Sequence, residues 1–418
     1  MSIKARLTVM NFLQFFVWGS WLISLGNYMA GQLGFSGLQI GSVYSTMGIA
    51  AVFMPGLLGI VADRWVNAER VYAAAHLIGA CALIAAANVA DFNTFYSLML
   101  LNSLFYMPSL GLCNSVCYNV LSRGRFDVVK AFPPIRVWGT VGFVVAMWTV
   151  DFSGWTQSSN QLYVSAGAAL FLAGYALTVP PSPPFPDETR RKTLIASLGL
   201  DAFALLKNRN TALFFIFSLL LGAALQITNA FGGPFLADFN ATYPQSFGVR
   251  HPNLLLSISQ LSETFFILLI PFFLTRFGIR KVILFSIIAW VIRFGLFGLG
   301  NPADKLYLLV LSMIIYGMAF DFFNISGSLY VEKMAEPKIR SSAQGLFVIM
   351  TNGFGAIIGG YGSGWVVDHF TGADGIRDWP SIWFTFAGYA LALSILFLSV
   401  FRHRHMGNKP ATPPSGHR

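Results

Sequence analysis

The sequence predicts an all-α membrane protein in which twelve helices cross the bilayer as two bundles of six. Apolar residues make up 55% of the 418 residues before the 40 glycines are counted, and charged residues make up only 11%. Soluble domains contain about 45–50% apolar residues including glycine and about 25% charged residues. So little charge cannot cover a water-facing surface. The apolar residues are also gathered into long stretches, which fall six on each side of one polar segment.

The apolar stretches are long enough to span a membrane. A transmembrane helix needs about 20 apolar residues to cross a hydrocarbon core of about 30 Å. Twelve such stretches lie at roughly residues 8–30, 38–62, 70–90, 94–120, 131–151, 161–180, 210–236, 253–275, 279–299, 305–331, 340–366 and 380–401. The first is too long for the core of a cleaved signal peptide and lacks an A-x-A site, so we expect it to remain as a span.

One polar segment divides the chain into two halves. It runs from Pro180 to Asn208, contains the string PPSPPFP and continues into a cluster of acidic and basic residues, which excludes it from the membrane. The predicted organisation is an N-terminal six-helix bundle, a cytoplasmic linker, a C-terminal six-helix bundle and a basic tail, at residues 1–180, 181–209, 210–402 and 403–418.

The basic residues predict the orientation of the chain. Loops rich in Lys and Arg remain in the cytoplasm, and placing both termini there assigns 22 of the 27 Lys and Arg residues to that side. Arg136 and Arg293 fall within spans. The net charge of +10 is therefore a topology signal. We expect membrane lipid as the surroundings and no nucleic-acid partner.

The two halves carry similar short motifs at corresponding places. An arginine follows span two and span eight, at Arg64 and Arg276, and an Ile-Arg pair opens span five and span eleven, ending at Arg136 and Arg340. A parallel repeat of this kind is typical of transporters whose substrate site lies between two helical bundles.

The loop after span two resembles the G-x-x-x-D-R motif of the major facilitator superfamily. Gly59, Asp63 and Arg64 match the motif, and the resemblance implies that Asp63 and Arg64 belong to a gating loop. The sequence departs from the motif at Val66, where a glycine is usual. The second copy keeps Gly278 but lacks the aspartate.

Longer strings resemble the bacterial nucleoside:proton symporter family over residues 1–405. They are GIAAVFMPGLLGIVADRW from Gly48, AFPPIRVWGTVGF from Ala131, LGLDAFALLKN from Leu198, LQITNAFG from Leu225, SISQLSETFFILLIPFFLTRFGIRK from Ser257, YGMAFDFFNISGS from Tyr316 and IRSSAQGL from Ile339. The resemblance implies nucleoside import with protons across the bacterial inner membrane by alternating access, with no cofactor and a monomeric chain.

Acidic residues within spans are candidates for proton coupling, because an ionisable group in hydrocarbon costs several kcal/mol. Glu263 lies near the middle of span eight, and Gln260 lies one helical turn before it on the same face. Asp321 in span ten is the second acidic candidate. Neutral burial of Glu263 between helices is the alternative interpretation.

Aromatic and amide side chains complete a predicted nucleoside site. Tyr316 and Phe320 share one face of span ten and offer rings on which a base can stack, although plain helix packing explains them as well. Carboxamides both donate and accept hydrogen bonds, which suits ribose hydroxyls and base edges. The family's substrate contacts fall on Arg136, Thr140, Phe143, Gln226, Asn229, Gln260, Glu263, Tyr316 and Phe320.

Other polar residues in spans fit structural roles better. We expect His76 to be a satisfied core histidine, Arg293 to pair within its bundle or reach the interface, and the three cysteines to be core residues. Snorkelling is also an alternative for Arg136.

Some of the same residues are also compatible with other functions. The R-x-W-G-T-x-G string in span five also resembles sugar symporters, which leaves a proton-coupled sugar or oligosaccharide permease as the alternative. An intramembrane enzyme is disfavoured because no H-E-x-x-H, G-x-S-x-G or metal cluster occurs. A membrane sensor would need an output domain.

Overall fold

The structure is a computed structural model that describes residues 2–184, 200–336 and 339–400. It is built almost entirely of helices, as the sequence predicts. Most of the predicted linker, residues 185–199, and the predicted basic tail at 403–418 lie outside the described residues.

The described part of the first half contains seven helices. They are α1 (Ile3–Gly19), α2 (Leu25–Gly31), α3 (Gly37–Arg64), α4 (Ala68–Ala86), α5 (Phe92–Arg123), α6 (Val128–Phe152) and α7 (Asn160–Ala176). Within this half α1 packs against α6 and α7, and α4 packs against α5 and α7.

The second half opens with a 3-10 helix and continues as follows. A 3-10 helix (Leu200–Lys207) precedes α8 (Arg209–Asp238), a 3-10 turn (Phe239–Ala241), α9 (Phe247–Arg250), α10 (Pro252–Leu299), α11 (Leu306–Met334), α12 (Arg340–Val348), a π-helix (Ile349–Gly355), α13 (Ala356–His369) and α14 (Trp379–Val400). Helix α10 packs against α11 and α14, and α8 packs against the π-helix and α13.

Nine helices of the described chain are long and apolar enough to cross a membrane. The longest, α10, has 48 residues and is broken at Gly278, whose φ of 76° and ψ of 162° belong to no helix. Glycine adopts this positive φ without the steric cost that other residues incur. Helices α1 and α7 have 17 residues each.

The first predicted span is interrupted rather than continuous. Helix α1 ends at Gly19 and α2 begins at Leu25, with a buried turn between them. The turn is held by Tyr44, whose hydroxyl donates a 2.7 Å hydrogen bond to the Leu22 carbonyl, and by Ser24, whose hydroxyl donates to Gln161 at 2.8 Å. Hydropathy alone cannot reveal such a break, because the turn residues are as apolar as the helices.

Contacts at the start of the linker define one face of the molecule. The Arg6 guanidinium donates to the Thr178 carbonyl at 2.9 Å, and the Arg123 guanidinium donates to the Pro181 carbonyl at 2.7 Å. The backbone N–H of Ser182 donates to the Glu69 carboxylate at 2.8 Å. The start of α1, the start of α4 and the end of α5 therefore meet at one end of the helices. We call this end the linker face and the other end the opposite face.

Polar caps begin α3 and α5 at the opposite face. Ser36 and Gln39 form a capping box at the start of α3. Asp91 caps α5, because the Thr94 backbone N–H and hydroxyl both donate to its carboxylate at 2.9 Å. These hydrogen bonds hold the pKa of the Asp91 carboxyl below its usual range.

The two halves meet along α3 and α13 with very close backbone contact. A Cβ added to Gly41 would lie 2.0 Å from the Gly360 carbonyl oxygen, and one added to Gly48 would lie 2.6 Å from that of Gly353. Small residues at a helix interface allow this approach. Helices α6 and α10 form a second contact between the halves.

Candidate functional site

Arg136 and Glu263 face each other across the two halves. Arg136 lies on α6 with its guanidinium carbon 4.1 Å from the centre of the Phe15 ring. Glu263 is half-buried on α10 and interacts electrostatically with Arg136. A Cβ added to Gly139 would lie 2.7 Å from an Arg136 guanidinium nitrogen. The absence of a side chain at Gly139 therefore leaves space for the Arg136 guanidinium. The structure therefore brings together the predicted cation and the predicted acid.

Two further predicted residues lie on α6. Phe143 is buried, and its ring meets Trp18 edge-on with the ring centres 6.1 Å apart. Thr140 is half-buried. The i, i+4, i+7 spacing of Arg136, Thr140 and Phe143 thus lies on continuous helix, as predicted.

Tyr316 connects α11 to the acidic residues. Its ring stacks on Phe320 with the centres 5.7 Å apart and the planes 5° from parallel, which confirms the predicted aromatic stripe. The Gln260 side chain and the Glu263 carboxylate both act electrostatically on the Tyr316 hydroxyl. The stripe and the predicted polar pair of α10 therefore form one cluster.

Asp321 is buried beside this cluster, with 3% of its surface exposed. One of its carboxylate oxygens has no hydrogen-bond partner among the described residues. The carboxylate interacts electrostatically with Glu263. Two acidic groups in a low-dielectric interior repel each other, so a proton on one of them favours the charge of the other.

Helix α8 contributes the two predicted amides. Gln226 is buried, and its side-chain oxygen lacks a hydrogen-bond partner within the described part of the chain. Asn229 is half-buried one turn later. No hydrogen bond between described residues joins either amide to the α6 or α10 members of the site. The Gln226 oxygen is consequently a buried acceptor available to a ligand.

Arg293 contacts the site, a role that the sequence did not predict. Its side chain is 2% exposed, its guanidinium carbon lies 4.7 Å from the centre of the Tyr316 ring, and it donates to the Ser312 carbonyl at 2.7 Å. Arg293 therefore pairs with side chains and backbone of its own half of the chain, since its partners lie on α10 and α11. Its closeness to Tyr316 depends on helix packing, which no local pattern reveals.

A π-helix that the sequence does not predict borders the aromatic stripe. It covers Ile349–Gly355 and places Thr351 and Asn352 on a crevice that Phe320 and Asn324 also line. Single-turn π-helices are frequent at functional sites. The only signal in the sequence was an asparagine in the middle of an apolar span.

His76 is a core histidine, as predicted. Its Nε2 lies 2.9 Å from the Gln14 side-chain oxygen, which also accepts a 2.6 Å hydrogen bond from the Tyr72 hydroxyl. The Gln14 amide nitrogen donates to Ser109 at 2.9 Å. Cys113 and Cys117 are buried, whereas Cys81 is exposed. No group of three potential metal ligands occurs among the described residues.

The gating loop that the sequence predicts lies at the linker face. Helix α3 ends at Arg64, and both Asp63 and Arg64 are half-buried. The corresponding turn of the second half is the break at Gly278 in α10.

Comparisons with known proteins identify the family. A family described as Nucleoside H+ symporter matches residues 1–406. The xanthosine permease of Escherichia coli is 52% identical over 408 residues, covering 97% of each chain, and the nucleoside permease NupG of the same organism is 51% identical over 420 residues, covering 100% of each. A crystal structure of the nucleoside transporter NupG superimposes with a TM-score of 0.92 at 52% identity, over 97% of this chain and 100% of that one.

Sugar permeases are far more distant, since the maltose permease of Geobacillus stearothermophilus is 22% identical. The matches over nearly the whole length, to proteins named as permeases and transporters, also exclude the enzyme class. The chain belongs to the nucleoside H+ symporter family of membrane transporters.

Proposed function

We propose that this protein imports nucleosides together with protons across the bacterial inner membrane. The observation that carries the proposal is the cluster of Glu263, Tyr316 and Phe320 opposite Arg136, at the boundary between the halves. It combines a flat aromatic surface for a base, hydrogen-bonding groups for a ribose and a half-buried acid for a proton.

The proposed topology has twelve spans in two six-helix bundles. The break at Gly278 divides α10 into two spans, and α1 and α7 are each 17 residues long, which is short but workable for a crossing. Equivalent glycines support the repeat: Gly142 packs on Phe12 of α1, and Gly359 packs on Ala223 of α8. The bundles are residues 1–180 and 210–402, joined by a linker at 181–209.

The linker face is cytoplasmic in this proposal. Arg6, Arg64 and Arg123 lie at that face, and basic loops remain inside. Both termini and the basic tail at 403–418 are then cytoplasmic as well. The opposite face is the outer face.

In this proposal the arrangement of the helices corresponds to a state closed on the outside. Buried residues of α3 run almost without a break from Ile40 to Ala51, whereas towards the linker face only Ile60 and Ala62 are buried. Phe53 is 38% exposed in that inner part. Rocking of the bundles about the central site would open the outer face and close the inner one, with the Asp63 and Arg64 loop as part of the inner gate.

Proton coupling is assigned to Glu263 and Asp321. Arg136 offers Glu263 a counter-charge, whereas Asp321 has no cation partner among the described residues and is buried. A charge left in hydrocarbon costs several kcal/mol, so Asp321 retains a proton until the inner cavity hydrates it. Glu263 then alternates between Arg136 and the bound substrate.

The remaining site residues supply contacts. Gln226, with its free acceptor, and Asn229 line the substrate position from α8, Gln260 lies beside Tyr316, and Thr140 and Phe143 approach it from α6. All of these residues belong to one chain, so a monomer in the lipid bilayer suffices.

Uptake by proteoliposomes tests the proposal. With an imposed inward proton gradient, we expect accumulation of labelled uridine or xanthosine that excess unlabelled nucleosides block and excess maltose does not. The proposal would be contradicted if maltose blocked the accumulation. It would also be contradicted if correctly inserted protein accumulated neither uridine nor xanthosine.

A further inference from the structure

Two carboxylates join the halves at the outer face, one from each half. Asp151, at the end of α6, accepts hydrogen bonds from the Asn253 backbone N–H at 2.9 Å and from His251 Nδ1 at 2.8 Å, at the start of α10. Asp368, at the end of α13, accepts hydrogen bonds from the backbone N–H groups of Gly37 at 2.5 Å and Leu38 at 2.8 Å, at the start of α3. Each carboxylate therefore caps the first turn of a helix in the other half.

The two caps occupy equivalent places in the internal repeat. Helix α6 ends the fifth proposed span, and α13 ends the eleventh. Helix α3 begins the second span, and α10 begins the eighth. The carboxylates lie 217 residues apart and the residues whose N–H groups they bind, Gly37 and Asn253, lie 216 residues apart. Two unrelated surface contacts would not be expected to share the spacing of the internal repeat.

Each cap is stronger than an ordinary surface contact. The first N–H groups of a helix have no partner within the helix and carry the positive end of its dipole, so a carboxylate satisfies both at once. Asp151 is 3% exposed, and neither carboxylate has another hydrogen-bond partner in the described chain that would hold it when the halves separate. Charge-assisted hydrogen bonds are roughly twice as strong as neutral ones.

We propose that Asp151 and Asp368 form a paired outer latch that sets the balance between the outer-closed and outer-open states. This inference rests on the proposed function, because it assumes that the outer face opens during transport. A contact made in only one of two states shifts the equilibrium by its whole differential free energy. Opening the outer face separates α3 from α13 and α6 from α10, and so it breaks both caps together.

The matched control lies at the same face but within one half. Asp91 caps α5 of its own bundle with the same kind of carboxylate hydrogen bonds. Asp91→Asn therefore makes the same change of a capping carboxylate to a neutral amide without touching the boundary between the halves. Its effect on the balance of states should be nil.

Alkylation of a cysteine at the boundary measures the opening. Ser257 is buried and accepts a hydrogen bond from the Trp148 indole at 2.9 Å across the two halves. A Ser257→Cys variant, with the exposed Cys81 replaced by Ala, reacts with a membrane-impermeant maleimide from outside only when the outer face opens. Asp151→Asn and Asp368→Asn should each raise the alkylation rate about tenfold, equivalent to about 1.4 kcal/mol, and the double variant further.

Spin-label distances identify which face has opened. Labels at Asn93 and Tyr307, both exposed at the outer ends of α5 and α11, should show a longer-distance population in the latch variants and not in Asp91→Asn. Rates and distances equal to the parent's in both latch variants would overturn the proposal. If Asp151→Asn does not fold, Asp368→Asn decides alone, since its partners are backbone groups.

Neither readout uses a substrate. A failed latch therefore leaves nucleoside uptake by the parent intact, whereas a failed transport function appears as absent uptake in the parent.

Discussion

Replacing Asp321 with Asn should uncouple transport from the proton gradient without unfolding the protein. Asn has nearly the shape of Asp, and the Asp321 carboxylate has a free oxygen and 3% exposure, so no hydrogen bond in the described structure is lost. The variant has no group at this position that binds and releases a proton. It therefore mimics the protonated carrier permanently.

The size of the effect follows from the driving force. One proton moving through about 100 mV supplies about 2.3 kcal/mol, and one pH unit adds about 1.4 kcal/mol. At about 1.4 kcal/mol per factor of ten, a coupled carrier accumulates its substrate several hundred-fold. An uncoupled carrier only equalises the two concentrations, so the accumulation ratio of Asp321→Asn should approach one.

Two assays on the same proteoliposomes separate uncoupling from simple damage. Gradient-driven accumulation of uridine should be lost, whereas exchange of external labelled uridine for internal unlabelled uridine should stay within a few-fold of the parent. Asp304→Asn, an exposed carboxylate just before the same helix, is the control and should leave both unchanged. Full accumulation by Asp321→Asn would refute the role of this residue in coupling.

The other predictions concern the remaining parts of the site and fold. Glu263→Gln should abolish gradient-driven accumulation, and normal accumulation in the same uptake assay would remove Glu263 from the coupling role. Phe320→Ala should raise the KM for nucleosides roughly 5- to 150-fold, because base stacking on an aromatic ring contributes about 1–3 kcal/mol, and an unchanged KM would restrict Phe320 to packing. Gly41→Val should oppose outer closure, seen as longer spin-label distances at the outer face, because its Cβ would lie 2.0 Å from the Gly360 carbonyl oxygen. Gln14→Leu should lower the melting temperature, since it leaves His76 and Tyr72 without their buried partner at a cost of about 1–3 kcal/mol each, and a parent-like melt would contradict that accounting.

Much of the architecture is predictable from the sequence because lipid imposes simple rules. Long apolar stretches and one charged linker suffice to predict the spans and the division of the chain. Helical spacing then places Tyr316 and Phe320 on one stripe and Gln260 and Glu263 on one face. These relations are local, since they depend only on 3.6 residues per turn. The structure keeps both of them.

The side-chain contacts between different helices could not be predicted from the sequence. The position of Arg293 over the Tyr316 ring depends on how α10 packs on α11. The turn between α1 and α2 depends on Tyr44 and Gln161, which lie far from it in sequence. The caps formed by Asp151 and Asp368 likewise appear only when residues 100 or more positions apart are brought together.

The most direct test of the central claim is whether nucleosides bring protons with them. Proteoliposomes that enclose a pH-sensitive dye, with equal pH on both sides and no membrane potential, should acidify inside when uridine or xanthosine is added outside. Maltose should cause no acidification. The Glu263→Gln and Asp321→Asn variants should show no acidification when nucleosides are added. Nucleoside entry without acidification would contradict the account, because it would show a carrier that moves its substrate alone.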